Sequence, residues 1–319
     1  MARTIYAEKY RPRSLDKVVG QEHVVKYIKD FIKNDDIPHM LFAGPAGTGK
    51  TTVAKALSKD LYGDEWQKYY LEENASDDNS VKNVRLKIKD YARTAIIDRE
   101  YKICFFDEAD YLSKDAQATL RRIVEMYSDR CRFIFSCNFP EKIIEPIKDR
   151  CVVFRFKKIK VEDMIPMLVE ITKKENIDIE DEAIYTLAKL SYGSMRRALN
   201  TLHQLKIGGR VNINKEEIYE MFGFIEPEEL VEMLSLCKKA NITKVEEYLE
   251  SLLYEKSYSP KEILRTLREV LIKLNIDKHK KLDALEFLGE ISSRISEGAE
   301  ADVQLKTFLI HMISLLEEK

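Results

Sequence analysis

The sequence has no long apolar run and no sign of export. No apolar stretch approaches the roughly 18 residues that a membrane-spanning helix needs. The opening residues, MARTIYAEKYRPR, lack the apolar core of a secretory signal. We therefore expect a soluble, cytoplasmic protein that has no membrane partner.

Cysteine is scarce and its spacing is uninformative. The five cysteines form no CxxC pair, have no histidine at metal-ligand spacing, and are odd in number. This pattern argues against a disulfide framework and against a zinc site. We expect all five to be small buried hydrophobes: Cys104, Cys131, Cys137, Cys151 and Cys237. Internal repeats and low-complexity tracts are also missing.

The chain has little net charge, only −2, but the charge is unevenly distributed. Residues 1–160 carry 31 Lys and Arg against 25 Asp and Glu, whereas residues 161–319 carry 22 against 30. The first part of the chain can therefore face an anion. An offset of this size permits such a partner without requiring one, because most charge runs are solvated faces.

The pattern of apolar residues changes near residue 160. Before it, short β-branched or aromatic runs (HMLFAG, YKICFFDE, CRFIFSCN, CVVFRF) alternate with helical patterns such as VVKYIKDFIK. This alternation predicts βα units on a parallel sheet. After it, segments such as DMIPMLVEITKKEN and EPEELVEMLSLCKK have helical spacing only. With 319 residues and 45% apolar content, the chain can form two or three domains.

The strongest local signal is GPAGTGKTT, which follows the apolar run HMLFA and precedes the helical pattern VAKALSKDLYG. This is the complete P-loop spacing in its strand-loop-helix setting. Glycines let backbone amides turn toward phosphate oxygens at a helix N-terminus, whose dipole favours anions. Lys50 is expected to reach the β- and γ-phosphates, and the Thr51 hydroxyl to bind Mg²⁺. The predicted nucleotide-binding residues here are Gly44, Pro45, Ala46, Gly47, Thr48, Gly49, Lys50, Thr51 and Thr52.

Two acids follow the apolar run YKICFF. Ligands of open α/β sheets lie at the carboxyl ends of the strands, which is where Asp107 and Glu108 are expected. Asp107 is predicted to hold the magnesium ion, and Glu108 to orient and deprotonate the water that attacks the γ-phosphate. Asp110 is expected to cap a following helix. Asn138, after the run RFIFSC, is a neutral group that can contact the γ-phosphate or that water.

Eight short motifs, in order along the chain, resemble the signature boxes of the small subunits of replication factor C, which are AAA+ clamp-loader ATPases, especially those of the archaeal type. The motifs are EKYRP, VVGQ, GPAGTGKTT, NASD, FFDEAD, SCN, IIEPIKDRC and YGSMRRALN. The resemblance covers nearly the whole chain. It implies an α/β RecA-like AAA+ P-loop ATPase domain with a parallel sheet at residues 1–160, a helical lid at 161–224, and an all-α C-terminal collar for oligomerisation at 225–319.

The resemblance also implies a function and partners. Such a subunit uses ATP binding and hydrolysis to open a sliding clamp (PCNA) and load it on primer-template DNA during replication, as a DNA-dependent ATPase. It assembles with identical small subunits and with a large subunit. It would reside in an archaeal-type cytosol, in association with the nucleoid. The clamp is expected to contact the ATPase face, near ARTAII at residues 92–97.

Further site residues follow from the resemblance alone. Arg150 matches the family's arginine finger, which projects onto the γ-phosphate bound by the neighbouring subunit, and Arg196 matches the lid arginine that contacts the γ-phosphate in cis. The family has serine where this chain has Asp149, so an ion pair between Asp149 and Arg150 is an alternative to the finger role. The implied adenine-side residues are Tyr10, Arg11, Pro12, Val18 and Val19.

A predicted helix after the NASD motif carries three basic residues on one face: Lys82, Arg85 and Lys89. Like charges at this spacing repel unless an anion lies beside them, and one helical turn of about 5.4 Å is close to the spacing of phosphates along a strand. A solvated lysine face explains the residues nearly as well. The family resemblance favours contact with the DNA backbone. Such contacts depend on the shape of the DNA and not on its base sequence.

Three other functions fit the sequence less well. A DEAD-box-like helicase shares FDEAD but needs a second RecA-like domain, and only helices are predicted after residue 160. A scaffold that binds ATP without turning it over has no use for Glu108 and Arg150. A replication-origin or Holliday-junction AAA+ protein usually ends in a winged-helix domain, whereas this C-terminal part has no pair of strand patterns.

Overall fold

The computed structural model describes residues 5–75, 81–93 and 101–316, apart from the side chains of 81–86. The chain forms two compact units, Met1–Asn212 and Ile213–Lys319. Each unit builds its own hydrophobic core. The first unit contains every strand of the described residues.

The centre of the first unit is a five-stranded sheet in which every pairing is parallel. The order across the sheet is β2-β3-β4-β1-β5. The strands are β1 Met40–Ala43, β2 Tyr70–Asn74, β3 Lys102–Asp107, β4 Cys131–Cys137 and β5 Val152–Arg155. Because β4 lies between β1 and β3, their carboxyl ends form one continuous edge.

Helices connect these strands and continue beyond them. Those of the first unit are α1 Tyr6–Lys9, α2 Glu22–Lys33, α3 Lys50–Tyr62, α4 Val81–Arg93, α5 Lys114–Tyr127, α6 Glu145–Lys148, α7 Val161–Glu175, α8 Asp181–Leu190 and α9 Met195–Ile207. Short 3-10 turns occur at Leu15–Lys17, Gly63–Tyr69, Ala109–Tyr111 and Pro140–Lys142.

Side chains of the inner strands β1, β3 and β4 alternate between two cores, one on each face of the sheet. On one face, Phe42 and Phe105 pack with residues of α2 and α3. On the other, Phe106 and Phe135 pack with residues of α4 and α5. Helices therefore cover both faces, which is why the sequences of β1, β3 and β4 are mostly apolar and do not alternate regularly with polar residues.

Four of the five strands were predicted from the sequence, and the structure confirms them. β2 was missed. Its sequence, YLEEN, has two acids and pairs only with β3, at the edge of the sheet. Lys55 and Lys87 form ion pairs with Glu72 and Glu73 of this strand, so contacts distant in sequence stabilise an unusual strand sequence.

The second unit is helical throughout its described residues. Its helices are α10 Lys215–Phe222, α11 Pro227–Lys238, α12 Ile242–Glu250, which continues as a π-helical turn at Ser251–Glu255, α13 Pro260–Lys273, α14 Lys278–Ser296 and α15 Ala301–Leu316. Ser259 and Glu262 cap α13 reciprocally. No helix among the described residues is long and apolar enough to cross a membrane.

The five cysteines are free thiols, as predicted. Cys104, Cys131, Cys137 and Cys237 are buried, and Cys151 is half-buried. Burial raises the pKa of the Cys151 thiol to about 12, and the pKa of the Cys237 thiol likewise. They act as small hydrophobic side chains.

His39, just before β1, makes the stability of the first unit depend on pH. Its Nδ1 accepts a hydrogen bond from the Phe133 backbone N–H at 3.1 Å. Burial, together with the Arg132 charge, lowers the pKa of His39 from 6.5 to about 4. The folded state therefore holds a neutral ring where the unfolded chain binds a proton, and stability is lost as the pH falls from above 6.5 toward 4.

We expect the free energy of unfolding of the first unit to drop by up to about 3 kcal/mol over this range, and His39→Gln to remove most of that slope. Urea unfolding at pH 7.5 and 4.5 measures this free energy. Fluorescence of the single tryptophan, Trp66, reports on the unfolding of this unit. The exposed His279, changed to Gln, is the control. An unchanged slope in His39→Gln would contradict the assignment.

Candidate nucleotide-binding active site

The loop between β1 and α3 has a backbone that glycine makes possible. Gly47 has φ 77° and Gly49 has φ 104°, in the left-handed region. A Cβ on Gly47 would lie 2.0 Å from the Ser194 Oγ, so the loop also approaches the start of α9 closely. The Thr48 hydroxyl donates to the Pro45 carbonyl at 2.8 Å and closes the turn.

Lys50 begins α3 and its ammonium lies at the mouth of this loop. Its Nζ donates to the carbonyls of Gly44 and Pro45 at 2.7 and 2.9 Å, and to the Asn138 Oδ1 at 2.9 Å. The side chain is buried, and burial lowers the pKa of Lys50. The structure thus brings together Lys50 and Asn138, which were predicted from motifs 88 residues apart.

Asp107, at the end of β3, faces the start of α3. Its Oδ2 accepts from the Thr51 hydroxyl at 2.7 Å, and its Oδ1 accepts from the Ser136 hydroxyl at 2.7 Å. The two residues predicted to bind Mg²⁺ therefore present adjacent oxygens. Ser136 was missed by sequence reasoning, although it stands two positions before Asn138 and so on the same side of the strand.

Glu108 follows with a backbone that non-glycine residues seldom adopt, φ 56° and ψ 38°. Its N–H donates to the Asp107 Oδ1 at 3.1 Å. The turn directs the chain along the carboxyl edge of the sheet, and Glu108 lines the pocket there. Strained residues of this kind concentrate at functional sites.

Asp110 was expected to cap a helix, but in the structure it does not. It lies within a 3-10 turn and is buried, and its Oδ2 accepts from the backbone N–H groups of Asn138 and Phe139 at 3.2 and 3.1 Å. The carboxylate therefore fixes the chain after β4. It positions Asn138 and not the turn in which it lies.

The pocket over this loop is lined by three parts of the first unit. The part from the N-terminal segment comprises Tyr10, Arg11, Pro12, Val18 and Val19, together with Ala7. The central part comprises Ala46, Gly47, Thr48, Gly49, Lys50, Thr51, Thr52, Asp107, Glu108, Ser136 and Asn138. The third part comprises Ile159, Met167, Met195, Arg196 and Leu199. Gly44 and Pro45 contribute the carbonyls that hold Lys50.

The N-terminal segment is attached directly to the loop. The Arg11 guanidinium donates to the Thr52 hydroxyl at 3.3 Å and also pairs with Glu8. Polar groups converge at the loop end of the pocket, whereas Pro12, Val18 and Val19 form an apolar wall. One end of the pocket therefore suits phosphates and the other suits a flat apolar ring.

Arg196 lies in the first turn of α9. Ser194 caps this helix by accepting a hydrogen bond from the Arg197 N–H at 3.3 Å. Arg196 lines the pocket, whereas the Arg197 guanidinium lies 6.0 Å from the Tyr192 ring. The preceding helix ends at Leu190, so Gly193 occupies the turn between the two helices.

Arg150 is not among the described residues that line the pocket. It lies between α6 and β5, with its Nη1 donating to the Pro146 carbonyl at 2.7 Å. Its Nη2 pairs with Glu125 of α5, which also accepts from the Arg121 Nε at 3.0 Å. The carboxylate that holds Arg150 is thus Glu125, where Asp149 had been the suggested partner.

The predicted DNA and clamp contacts lie largely outside the described residues. Lys82 and Arg85 belong to α4, but their side chains are not described, and of the clamp segment only residues 92–93 are. Lys89 is half-buried in the same helix, and Ile88 is fully buried in the core beneath the sheet. Ile88 therefore lies on the packed face of α4.

Family descriptions match three stretches of the chain. "ATPase family associated with various cellular activities (AAA)" matches residues 40–159. "RCF1/5-like, AAA+ ATPase lid domain" matches residues 167–207, and "Replication factor C C-terminal domain" matches residues 225–311. The fold class predicted from the sequence is confirmed. The domain limits 1–160, 161–224 and 225–319 stay predictions.

Several curated proteins similar to the chain are named replication factor C small subunit. That of Archaeoglobus fulgidus is 42% identical over 315 residues, covering 98% of this chain and 98% of its own length. That of Thermofilum pendens is 42% identical and covers 100% and 99%. That of Methanococcus vannielii is 40% identical and covers 96% and 98%.

Among solved structures, the Thermotoga maritima RuvB Holliday junction branch migration motor is similar, with a TM-score of 0.54. It is 19% identical and the match covers 95% of this chain and 90% of that one. An identity this low shows a shared fold only. The sequence relatives decide the family: the chain has an AAA ATPase domain, which binds ATP, and it belongs to the replication factor C small-subunit family.

Proposed function

We propose that this subunit couples ATP binding and hydrolysis to opening a sliding clamp and loading it on primer-template DNA. One observation carries the proposal: Lys50, Thr51, Asp107, Glu108 and Asn138 converge on one pocket. This set supplies a phosphate cradle, metal ligands and a general base, the parts that ATP hydrolysis requires.

The phosphates would lie in the loop of residues 44–51, where Lys50 leaves the carbonyls of Gly44 and Pro45 to meet the β- and γ-phosphates. The adenine would lie against Tyr10, Pro12, Val18 and Val19. The apolar wall there favours a flat ring, and Arg11 stands beside it.

The Thr51 hydroxyl and the Asp107 carboxylate fit Mg²⁺, which prefers hard oxygen ligands. The described residues contain no group of three or more His, Cys, Asp or Glu that could hold a metal. A magnesium ion would therefore rely on these two oxygens, on the phosphates and on water, and it would neutralise charge on the phosphates. Ser136 keeps Asp107 oriented through its hydroxyl.

Glu108 would accept a proton from the attacking water, and Asn138 would orient that water or the γ-phosphate. Arg196 would contact the γ-phosphate from the lid of the same chain. These roles make the pocket complete except for a group that stabilises the charge of the transferring phosphoryl on its open side.

Arg150 would supply that group to the next subunit of an assembly. Its guanidinium is outside its own pocket and is held by Glu125 and the Pro146 carbonyl, so it serves no nucleotide in cis. Glu125 is a surface carboxylate, and exposed ion pairs of this kind contribute little to stability, so little is lost when Arg150 moves to a phosphate. A phosphate offers a permanently charged planar cation a better partner.

Partners follow from the same proposal. Identical small subunits and a large subunit would complete the assembly through Arg150 and through the helical second unit. Lys82, Arg85 and Lys89 of α4 would track the DNA backbone, and the clamp would bind near residues 92–97. The charge of the first part of the chain, 31 basic against 25 acidic residues, is compatible with an anionic partner.

Single-turnover hydrolysis tests the proposal. The complete assembly, mixed with ATP, is expected to hydrolyse slowly alone and faster when both the clamp and primed DNA are added. Duplex DNA without a primer end is the control for DNA charge. A rate that stays slow under every condition would overturn the proposal and favour a scaffold that needs only ATP binding.

A further inference from the structure

Glu175, the last residue of α7, joins the lid to the N-terminal segment. Its carboxylate accepts from the Lys9 Nζ at 2.5 Å and from the Tyr10 hydroxyl. Two donors from one short segment thus meet a single carboxylate, and its side chain is only 15% exposed.

A carboxylate at the C-terminal end of a helix is electrostatically unfavourable for that helix. The C-terminus of a helix carries partial negative charge, so a basic residue there is stabilising and an acid is not. Lys173 and Lys174 follow that rule and Glu175 does not. Burial raises the pKa of Glu175, but the hydrogen bonds from Lys9 and Tyr10 outweigh burial and leave that pKa below its usual value. The carboxylate is therefore stabilised by the N-terminal segment.

The same segment is fixed to the core of the ATPase domain on its other side. Arg11 donates to the Thr52 hydroxyl in the first turns of α3. Farther along, the Leu15 N–H donates to the Asp60 Oδ2 at 2.9 Å. Tyr10 therefore stands between an attachment to the lid and an attachment to the phosphate-binding helix.

Packing reinforces the attachment to the lid. The Tyr6 ring is buried and meets the His203 ring of α9 edge to face, with centroids 4.4 Å apart. Tyr6 also packs edge to face on Tyr10, at 5.6 Å. The pocket-lining ring of Tyr10 is thus oriented by contacts at its hydroxyl and at its edge, and both lead to lid helices.

We propose that Glu175 is a positioning residue that sets the affinity for nucleotide by fixing Tyr10, and with it the base side of the pocket, to the lid. Glu175 lines no part of the pocket among the described residues. It acts through Tyr10. The inference rests on the proposed placement of the adenine beside Tyr10, and it deepens that proposal by naming what holds this wall in place.

If Glu175 has this role, binding of the base and ribose depends on it and binding of the phosphates does not. Losing Glu175 frees Tyr10 and the lid from each other, so the base and ribose lose a preorganised wall. The loop of residues 44–51 keeps its own hydrogen bonds and still binds phosphates. Binding of ATP should therefore weaken while binding of inorganic tripolyphosphate stays the same.

The test compares Glu175→Ala and Glu175→Gln with Glu170→Ala. Glu170 lies on the same helix, is exposed, and pairs only with Lys174 among the ion pairs that the described residues form. Affinity for a fluorescent ATP analogue and for tripolyphosphate, each with Mg²⁺, is measured by titration of the full chain. A thermal unfolding curve without ligand accompanies each variant.

We expect Glu175→Ala to weaken ATP binding about tenfold, or about 1.4 kcal/mol, and to leave tripolyphosphate binding within about twofold. Glu175→Gln should be intermediate because its amide oxygen still accepts from tyrosine hydroxyls. Glu170→Ala should match the wild type.

ATP binding by Glu175→Ala equal to that of the wild type would overturn the inference. Equal loss of both ligands would also overturn it, because that result indicates general damage to the fold. Failure of the wild type itself to bind ATP would overturn the proposed function, and the inference with it.

Discussion

Glu108→Gln is expected to lower the rate of ATP hydrolysis by about 10²- to 10⁴-fold while the affinity for ATP changes little. Glutamine keeps the size and polarity of the side chain but cannot accept a proton at neutral pH. The loss should therefore fall on the chemical step, that is, on kcat and kcat/KM together and not on binding.

The proposed role of Glu108 rests on its position. The strained turn at φ 56° aims the chain along the carboxyl edge of the sheet, one residue after the Asp107 that faces Thr51. Holding an unusual backbone conformation costs on the order of 1–3 kcal/mol. The hydrogen bond from its own N–H to Asp107 helps to hold it. A base in this place can reach a water beside the γ-phosphate without contacting the nucleotide, which is why binding survives the substitution.

Glu141→Gln is the matched control. Glu141 is an exposed acid on the 3-10 turn Pro140–Lys142, which follows β4 in the sequence. It lines no part of the pocket among the described residues. Single-turnover hydrolysis and equilibrium binding are measured on both variants in the full assembly. If Glu108→Gln hydrolyses ATP within threefold of the wild type, another group is the base.

Most of the site was predictable because its parts are set by local sequence. The phosphate-binding loop needs glycines at left-handed positions, and Gly47 and Gly49 occupy them. Parallel strands end at one edge, so a motif after β1 and acids after β3 meet wherever the sheet forms. Thr51 and Asp107 lie in hydrogen-bonding contact for this reason, although they stand 56 positions apart.

The residues that were missed depend on contacts that no local pattern encodes. β2 is an edge strand whose acids are balanced by Lys55 and Lys87. Glu125 pairs with Arg150 because α5 packs beside α6. The sequence suggested the adjacent Asp149 as the partner. Glu175 even contradicts the rule for helix ends. From the sequence alone, none of these acids can be distinguished from an ordinary surface charge, because its partner is defined only by tertiary packing.

Arg150→Ala is expected to lower hydrolysis by the assembly about 10³- to 10⁵-fold, the range that arginine fingers contribute, while each subunit still binds ATP. Arg121→Ala is the control, since Arg121 binds the same Glu125 on the same surface of α5. An assembly of Arg150→Ala subunits that keeps the wild-type rate would remove the finger from the mechanism.

Mixing two inactive chains tests whether catalysis is shared. Lys50→Ala lacks the phosphate-binding lysine but keeps Arg150, whereas Arg150→Ala keeps Lys50. In a ring of head-to-tail contacts assembled at random from equal amounts, about one site in four joins an intact loop to an intact finger. The mixture should therefore recover roughly a quarter of the wild-type rate. Activity that stays at background would mean that Arg150 acts within its own chain or on the fold. Recovery can arise only across an interface, because neither chain contains a complete site, and it would identify the contact between subunits as the place where ATP is hydrolysed.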